Sequence, residues 1–95
     1  FLYSNCCEKY NMKIVKEFSN AYGRCTIFEM NNKFIVKIEN GNYEQTYKLS
    51  SMDYLIQSAA DFDVLLDEKF MQSVNARFLE MHQQWMEAIQ RNDFA

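Results

Sequence analysis

Few residues in this chain are able to do chemistry, and their spacing decides which chemistry that is. His82 is the only histidine. General acid–base catalysis would need a nucleophile or carboxylate beside it, and Glu80, two residues away on a helical pattern, belongs to another face. His82 therefore reads as a histidine at the edge of an apolar stripe. Cys6, Cys7 and Cys25 show no C-x-x-C spacing. A vicinal Cys6–Cys7 bridge would close a strained ring, and a bridge from Cys25 to either is left open by the sequence. Three reduced thiols in a reducing cytosol are the expected state. Cys25 falls on a core-facing strand position, where a thiol behaves as a small hydrophobe. A metal site built from Cys6, Cys7 and His82 lacks an identifiable fourth ligand.

Asp61, Asp63, Asp67 and Glu68 form an acidic cluster. A calcium loop requires a glycine at the sharp turn, and none is present. Paired carboxylates for glycoside chemistry require a sugar cleft. Helix capping explains the cluster. No catalytic constellation, cofactor site or metal site is identified, and the chain is read as non-enzymatic.

Tyr22, Phe28, Phe34, Tyr43 and Tyr47 spread across the sheet with Lys33, Lys37 and Lys48 among them, and aromatics with cations on a sheet can stack single-stranded bases. Most of these aromatics fall on the face expected beneath a helix, which makes them core. The formal net charge of −3 and the pI of about 5.0 oppose a dedicated nucleic-acid binder, because such affinity comes from Lys and Arg neutralising phosphates. The methionines are read as ordinary core filling.

With 95 residues, 48% of them hydrophobic and 16% aromatic, the chain can bury one core without staples. No apolar run approaches the ~18 residues of a membrane span, and no signal-type segment opens the chain. The expected location is the cytoplasm. Strand patterning begins at Met12. Residues 1–11 are read as an N-terminal extension, pro-segment or expression remnant, and residues 12–95 as one α+β domain.

Met12–Ser19 alternates, with Met12, Ile14 and Phe18 on one face and Val15 and Glu17 on the other. A turn follows at Asn20–Gly23. Cys25–Met30 and Phe34–Glu39 flank the connection Asn31-Asn32-Lys33, where Asn tolerates positive φ. Asn40-Gly41 predicts a type I′ turn into Tyr43–Leu49, pairing Lys37 with Glu44 and Ile38 with Tyr43. That register is preferred to a one-residue slide, which would oppose Glu39 and Glu44. Cys25, Ile27, Phe34, Val36, Ile38, Tyr43, Tyr47 and Leu49 make the core face. The other face is polar except for a patch of Phe28, Met30 and Ile35. Ser50-x-x-Asp53 resembles a capping box and predicts a brief helix over ~51–59 that buries Leu55 and Ile56.

Leu66, Phe70, Val74, Phe78, Met81, Trp85 and Ile89 then recur at steps of three and four, with Met71, Leu79 and Met86 widening the stripe. They predict one long helix over ~63–91, with acids at its positive end, Arg91 at its negative end, and a Glu87–Arg91 pair. The fold expected is α+β: a four-stranded antiparallel β-meander, a short helical segment, and one long C-terminal amphipathic helix packed on one sheet face. This element order is similar to single-stranded-nucleic-acid-binding domains of the Whirly type. By element order alone, the resemblance implies an alternative role as a single-stranded nucleic-acid-binding regulator using the sheet face.

Length carries a further expectation. A ~28-residue helix is ~42 Å long, against ~24 Å for a seven-residue strand and ~32 Å for the diameter of a compact chain of this size. The helix should overhang its sheet by two to three turns, leaving Trp85, Met86 and Ile89 uncovered. A second copy, the Phe1–Tyr3 segment or a different protein would cover them. Symmetric dimers are the commonest oligomers, so the reading is a small interaction or scaffold protein acting as a homodimer through its long helix. Its candidate surface is Met81, Trp85, Met86 and Ile89, together with Phe28, Met30 and Ile35.

Overall fold

Three two-residue turns divide residues 13–50 into four equal strands. In the computed structural model, which describes residues 12–56 and 58–94, these are β1 (Lys13–Asn20), β2 (Gly23–Met30), β3 (Lys33–Asn40) and β4 (Tyr43–Ser50). They form one open antiparallel sheet in the order β1-β2-β3-β4. The 1–11 segment, with Cys6, Cys7 and Phe1–Tyr3, lies outside the described residues. Asn31 and Asn32 both take positive φ, 50° and 64°, as a type I′ turn requires. Gly23 has φ 143°, and a Cβ there would lie 2.3 Å from the Glu39 carbonyl oxygen, so only glycine fits.

The last hairpin corrects the expected register. Asn40 pairs with Tyr43 and Glu39 with Glu44, so the loop is Gly41-Asn42. Gly41 has φ 61° while Asn42 is not in the left-handed region, the φ pattern of a type II′ turn. This register sets Phe34 against Leu49 and Val36 against Tyr47 on the core face. Both registers keep two apolar pairs on the core face, but this one puts Gly41 first in the turn and pairs all eight residues of β3 with all eight of β4, while Lys37 Nζ, 3.8 Å from both Glu39 and Glu44, moderates the like-charge contact.

A second correction concerns β1. Its pairing with β2 shifts between Ile14 and Lys16, a bulge at Val15. Ile14 therefore lies opposite Phe28 on the open face, 56% exposed, instead of sharing a face with Phe18. Lys16 turns to the helix side, opposite Ile27, where its ammonium meets Asp63. The extra residue reverses side-chain parity beyond it.

The expected helix over 51–59 is absent; residues 51–55 are turns and bends. Ser50 Oγ accepts from the Met52 amide at 3.2 Å, and Ser51 donates through both its amide and its hydroxyl to the Asn32 carbonyl. Ser51 is thus pinned to the β2–β3 turn, which holds the chain out of a helical path. Leu55 is 93% exposed, contrary to its expected burial, while Ile56 packs partly against the core.

The predicted single helix is two: α1 (Asp61–Leu65) and α2 (Glu68–Arg91). Leu66 leaves helical geometry at φ −88°, ψ 54°, and Asp67 is extended, its carboxylate accepting from the Phe70 amide at 2.9 Å. That break turns Phe62 inward to meet Phe34 edge-on at 5.2 Å. Phe62 is 1% exposed and joins Cys25, Ile27, Phe34, Val36, Ile38, Met71, Val74 and Phe78 in the core. At its far end α2 stops in a Schellman motif. Asp93 takes φ 62°, its amide donates to the Gln90 carbonyl, and the Phe94 amide donates to the Ile89 carbonyl. The expected Glu87–Arg91 pair does not form; the Glu87 carboxylate accepts from Gln83.

Candidate interaction surface

The first half of α2 is fastened to the sheet by polar contacts around the core. Near its start, the Tyr22 hydroxyl donates to the Glu68 carboxylate, which pushes the Tyr22 phenol above its ordinary pKa. Asp63, in α1, takes the Lys16 ammonium. Of the acidic cluster, then, Asp67 caps α2 while Asp63 and Glu68 tie helices to sheet. Midway, Gln45 donates to the Val74 carbonyl at 2.9 Å, and Arg77 donates to Gln45 Oε1 at 2.9 Å and to the Tyr47 hydroxyl at 2.7 Å. The Arg77 guanidinium also lies 6.0 Å from the Phe70 ring centre, and Phe70 stacks edge-on against Tyr47 at 5.5 Å. The last tie is His82, whose Nδ1 hydrogen-bonds the Tyr43 hydroxyl at 2.9 Å.

Tyr43 is the first residue of β4, so His82 marks where α2 leaves the sheet. Residues 83–91 continue for about 13 Å at 1.5 Å per residue. Between this extension and the β3–β4 turn lies an open groove of about 1080 Å³, lined by Asn42, Tyr43, Leu79, His82, Trp85 and Ile89 among others. Trp85 is 60% exposed and Leu79 64%. Met81, Met86 and Ile89 line the same groove and are half-buried. Met81 also packs on the core, so it stands at the junction between sealed and open halves.

Phe28, Met30 and Ile35 occupy the open sheet face away from the helices, each half-buried. The bulge adds Ile14 to them, in the row Ile14–Phe28–Ile35. Pattern reading misses Ile14 because nothing in alternation announces an extra residue. It also misses Met52, Tyr54 and Leu55, exposed by 85%, 60% and 93%, since the pattern there predicts a helix. Of the aromatics on the sheet and its turns, Phe18, Tyr22, Phe34, Tyr43 and Tyr47 pack with the helix-side core, and Phe28 is on the open face.

The remaining chemistry-bearing groups that are described sit in packing and ion-pair contacts. Cys25 is a free, fully buried thiol, and burial pushes its pKa up, away from the nucleophilic thiolate. The Arg24 guanidinium beside Glu17 is held more firmly charged. Among the described residues no group of three or more His, Cys, Asp or Glu side chains could hold a metal ion, and no helix is long and apolar enough to cross a membrane. No known protein family, curated protein or solved structure matches the chain.

Proposed function

We propose that this chain is a small, non-enzymatic interaction or scaffold protein of the cytosol that acts as a homodimer through the outer half of α2. The observation that carries this reading is Trp85, 60% exposed on a helix that runs past the end of its own sheet and is closed by a defined C-cap. A fully buried tryptophan contributes on the order of 2–3 kcal/mol, so an uncovered one beside Leu79, Met86 and Ile89 favours association. Only Phe28 among the sheet aromatics is placed to stack a base on the open face, which ranks oligonucleotide binding lower.

Sedimentation across a micromolar concentration range tests the proposal, with the emission of Trp85, the sole tryptophan, read on the same samples. Association accompanied by a blue shift supports it. A monomer with water-exposed emission at high micromolar concentration overturns it, and tight oligonucleotide binding that weakens steeply with salt would put the alternative in its place.

A further inference from the structure

An open sheet has two edges, and those of this one differ. β1 carries the bulge at Val15 with Lys13 and Lys16 on either side, the devices that blunt an edge strand. β4 has no bulge and keeps unbroken register with β3 from Tyr43 to Ser50. In a hairpin closed by the Asn40–Tyr43 pair, alternate residues of β4 bond to β3, which leaves the backbone groups of Glu44, Thr46 and Lys48 facing outward. Charge along that edge is also unbalanced. Lys37 is shared between Glu39 and Glu44, while Lys48 meets no carboxylate among the described residues.

The sequence of β4 is self-complementary. A second copy added antiparallel, with the pleat continuous, can pair only residues of like parity. Centred on Thr46, the pairing sets Glu44 against Lys48 of the partner subunit at two symmetric places, Gln45 against the partner's Tyr47 and Tyr43 against the partner's Leu49. Centring on Gln45 or Tyr47 leaves both charges unpaired. Centring on Glu44 or Lys48 sets like against like. The Thr46 register also places the partner's Ser50 opposite Asn42, which lines the groove beside Trp85. Past Ser50 the chain runs directly into Met52, Tyr54 and Leu55, the exposed apolar residues of the following turn.

We infer that two copies join edge to edge through antiparallel β4–β4 pairing centred on Thr46. The result is a continuous eight-stranded sheet in which the Met52–Leu55 turn of each copy docks into the other's groove against Trp85. The inference rests on the homodimeric reading above and supplies its interface.

The test uses the full chain with Cys6→Ser and Cys7→Ser, to which Thr46→Cys, Glu44→Cys or Lys48→Cys is added singly. Each is treated with a short bis-maleimide and sedimented in parallel. The pairing puts the two Thr46→Cys positions about 5–6 Å apart and the two Glu44→Cys or Lys48→Cys positions roughly 14 Å apart. Cross-linking of Thr46→Cys should be about tenfold faster than of either other variant. A sedimenting dimer whose Thr46→Cys links no faster than the others overturns the β4 pairing and leaves the homodimer standing. A monomer overturns both. Leu55→Asp should return the Trp85 emission to its water-exposed position; an unchanged blue-shifted emission overturns docking of the turn.

Discussion

Gly23 opens β2 and Gly41 lies in the β3–β4 turn, both with positive φ, yet substitution should separate them. A side chain at Gly41 meets nothing within 4 Å and has to bear only the backbone strain of φ 61° in the turn, so Gly41→Ala should cost about 1–2 kcal/mol. At Gly23 the same change adds a Cβ 2.3 Å from the Glu39 carbonyl oxygen at φ 143°, and the loss should reach about 3 kcal/mol. Urea denaturation of both variants measures the difference. Cys25 gives a second test at this scale. With Cys6 and Cys7 replaced by serine, the native protein should leave an aromatic disulfide reagent unreacted and release one equivalent of thiolate on unfolding. Fast native reaction would mean that the core around Ile27, Val36 and Phe78 opens. Cys25 is legible in the sequence because alternation in β2 is uninterrupted. Ile14 is not, because the bulge at Val15 reverses parity without any glycine or proline to signal it.

Elements show the same division between pattern and exception. The meander is readable from its turn residues, yet the register of its last hairpin comes out wrong when the charges of Lys37 and Glu44 are weighted above the need for Gly41 at the first turn position and the full ladder that brings Leu49 to Phe34. Charges at a solvated rim are screened, and packing beneath a helix is not. The helix is legible for a reason that also hides its break. Leu66 keeps a four-residue step to Phe70 across the bend, so the periodicity runs on while the backbone does not. Asp67 carries the break: Asp67→Ala removes the side-chain cap at the start of α2 and should cost about 1 kcal/mol. Phe62→Ala, which empties the space against Phe34 that the bend creates, should cost about 3–5 kcal/mol. Urea denaturation ranks the two. If the losses fell in the opposite order, the break would be an independent helix boundary and not the means of burying Phe62.

At the scale of the molecule, the groove beside Trp85 joins three features that lie apart in sequence: the β3–β4 turn, the end of α2 and, in the arrangement inferred for two copies, the turn after β4. The overhang follows from counting residues on a helix against residues on a strand. The partner edge does not, because it depends on the register of β4 and on which edge carries the bulge. Charge exchange across that edge makes the arrangement testable without touching any core residue. Glu44→Lys alone opposes two ammonium groups at each of the two symmetric places, and Lys48→Glu alone opposes two carboxylates there. Each variant should therefore weaken self-association by roughly 5–30-fold, the sum of two cross-strand pairs turned from attraction to repulsion. Mixed in equal amounts, the two variants restore opposite charges at both places, so a heterodimer should form with near-original affinity while each homodimer remains weak. The recovery should fade as salt rises past about 0.5 M, because both pairs are solvated and the screening length there is only a few Å. Sedimentation of the separate and mixed samples decides it. Weak association that mixing fails to restore would assign Glu44 and Lys48 to some other contact and remove the two-fold axis from Thr46.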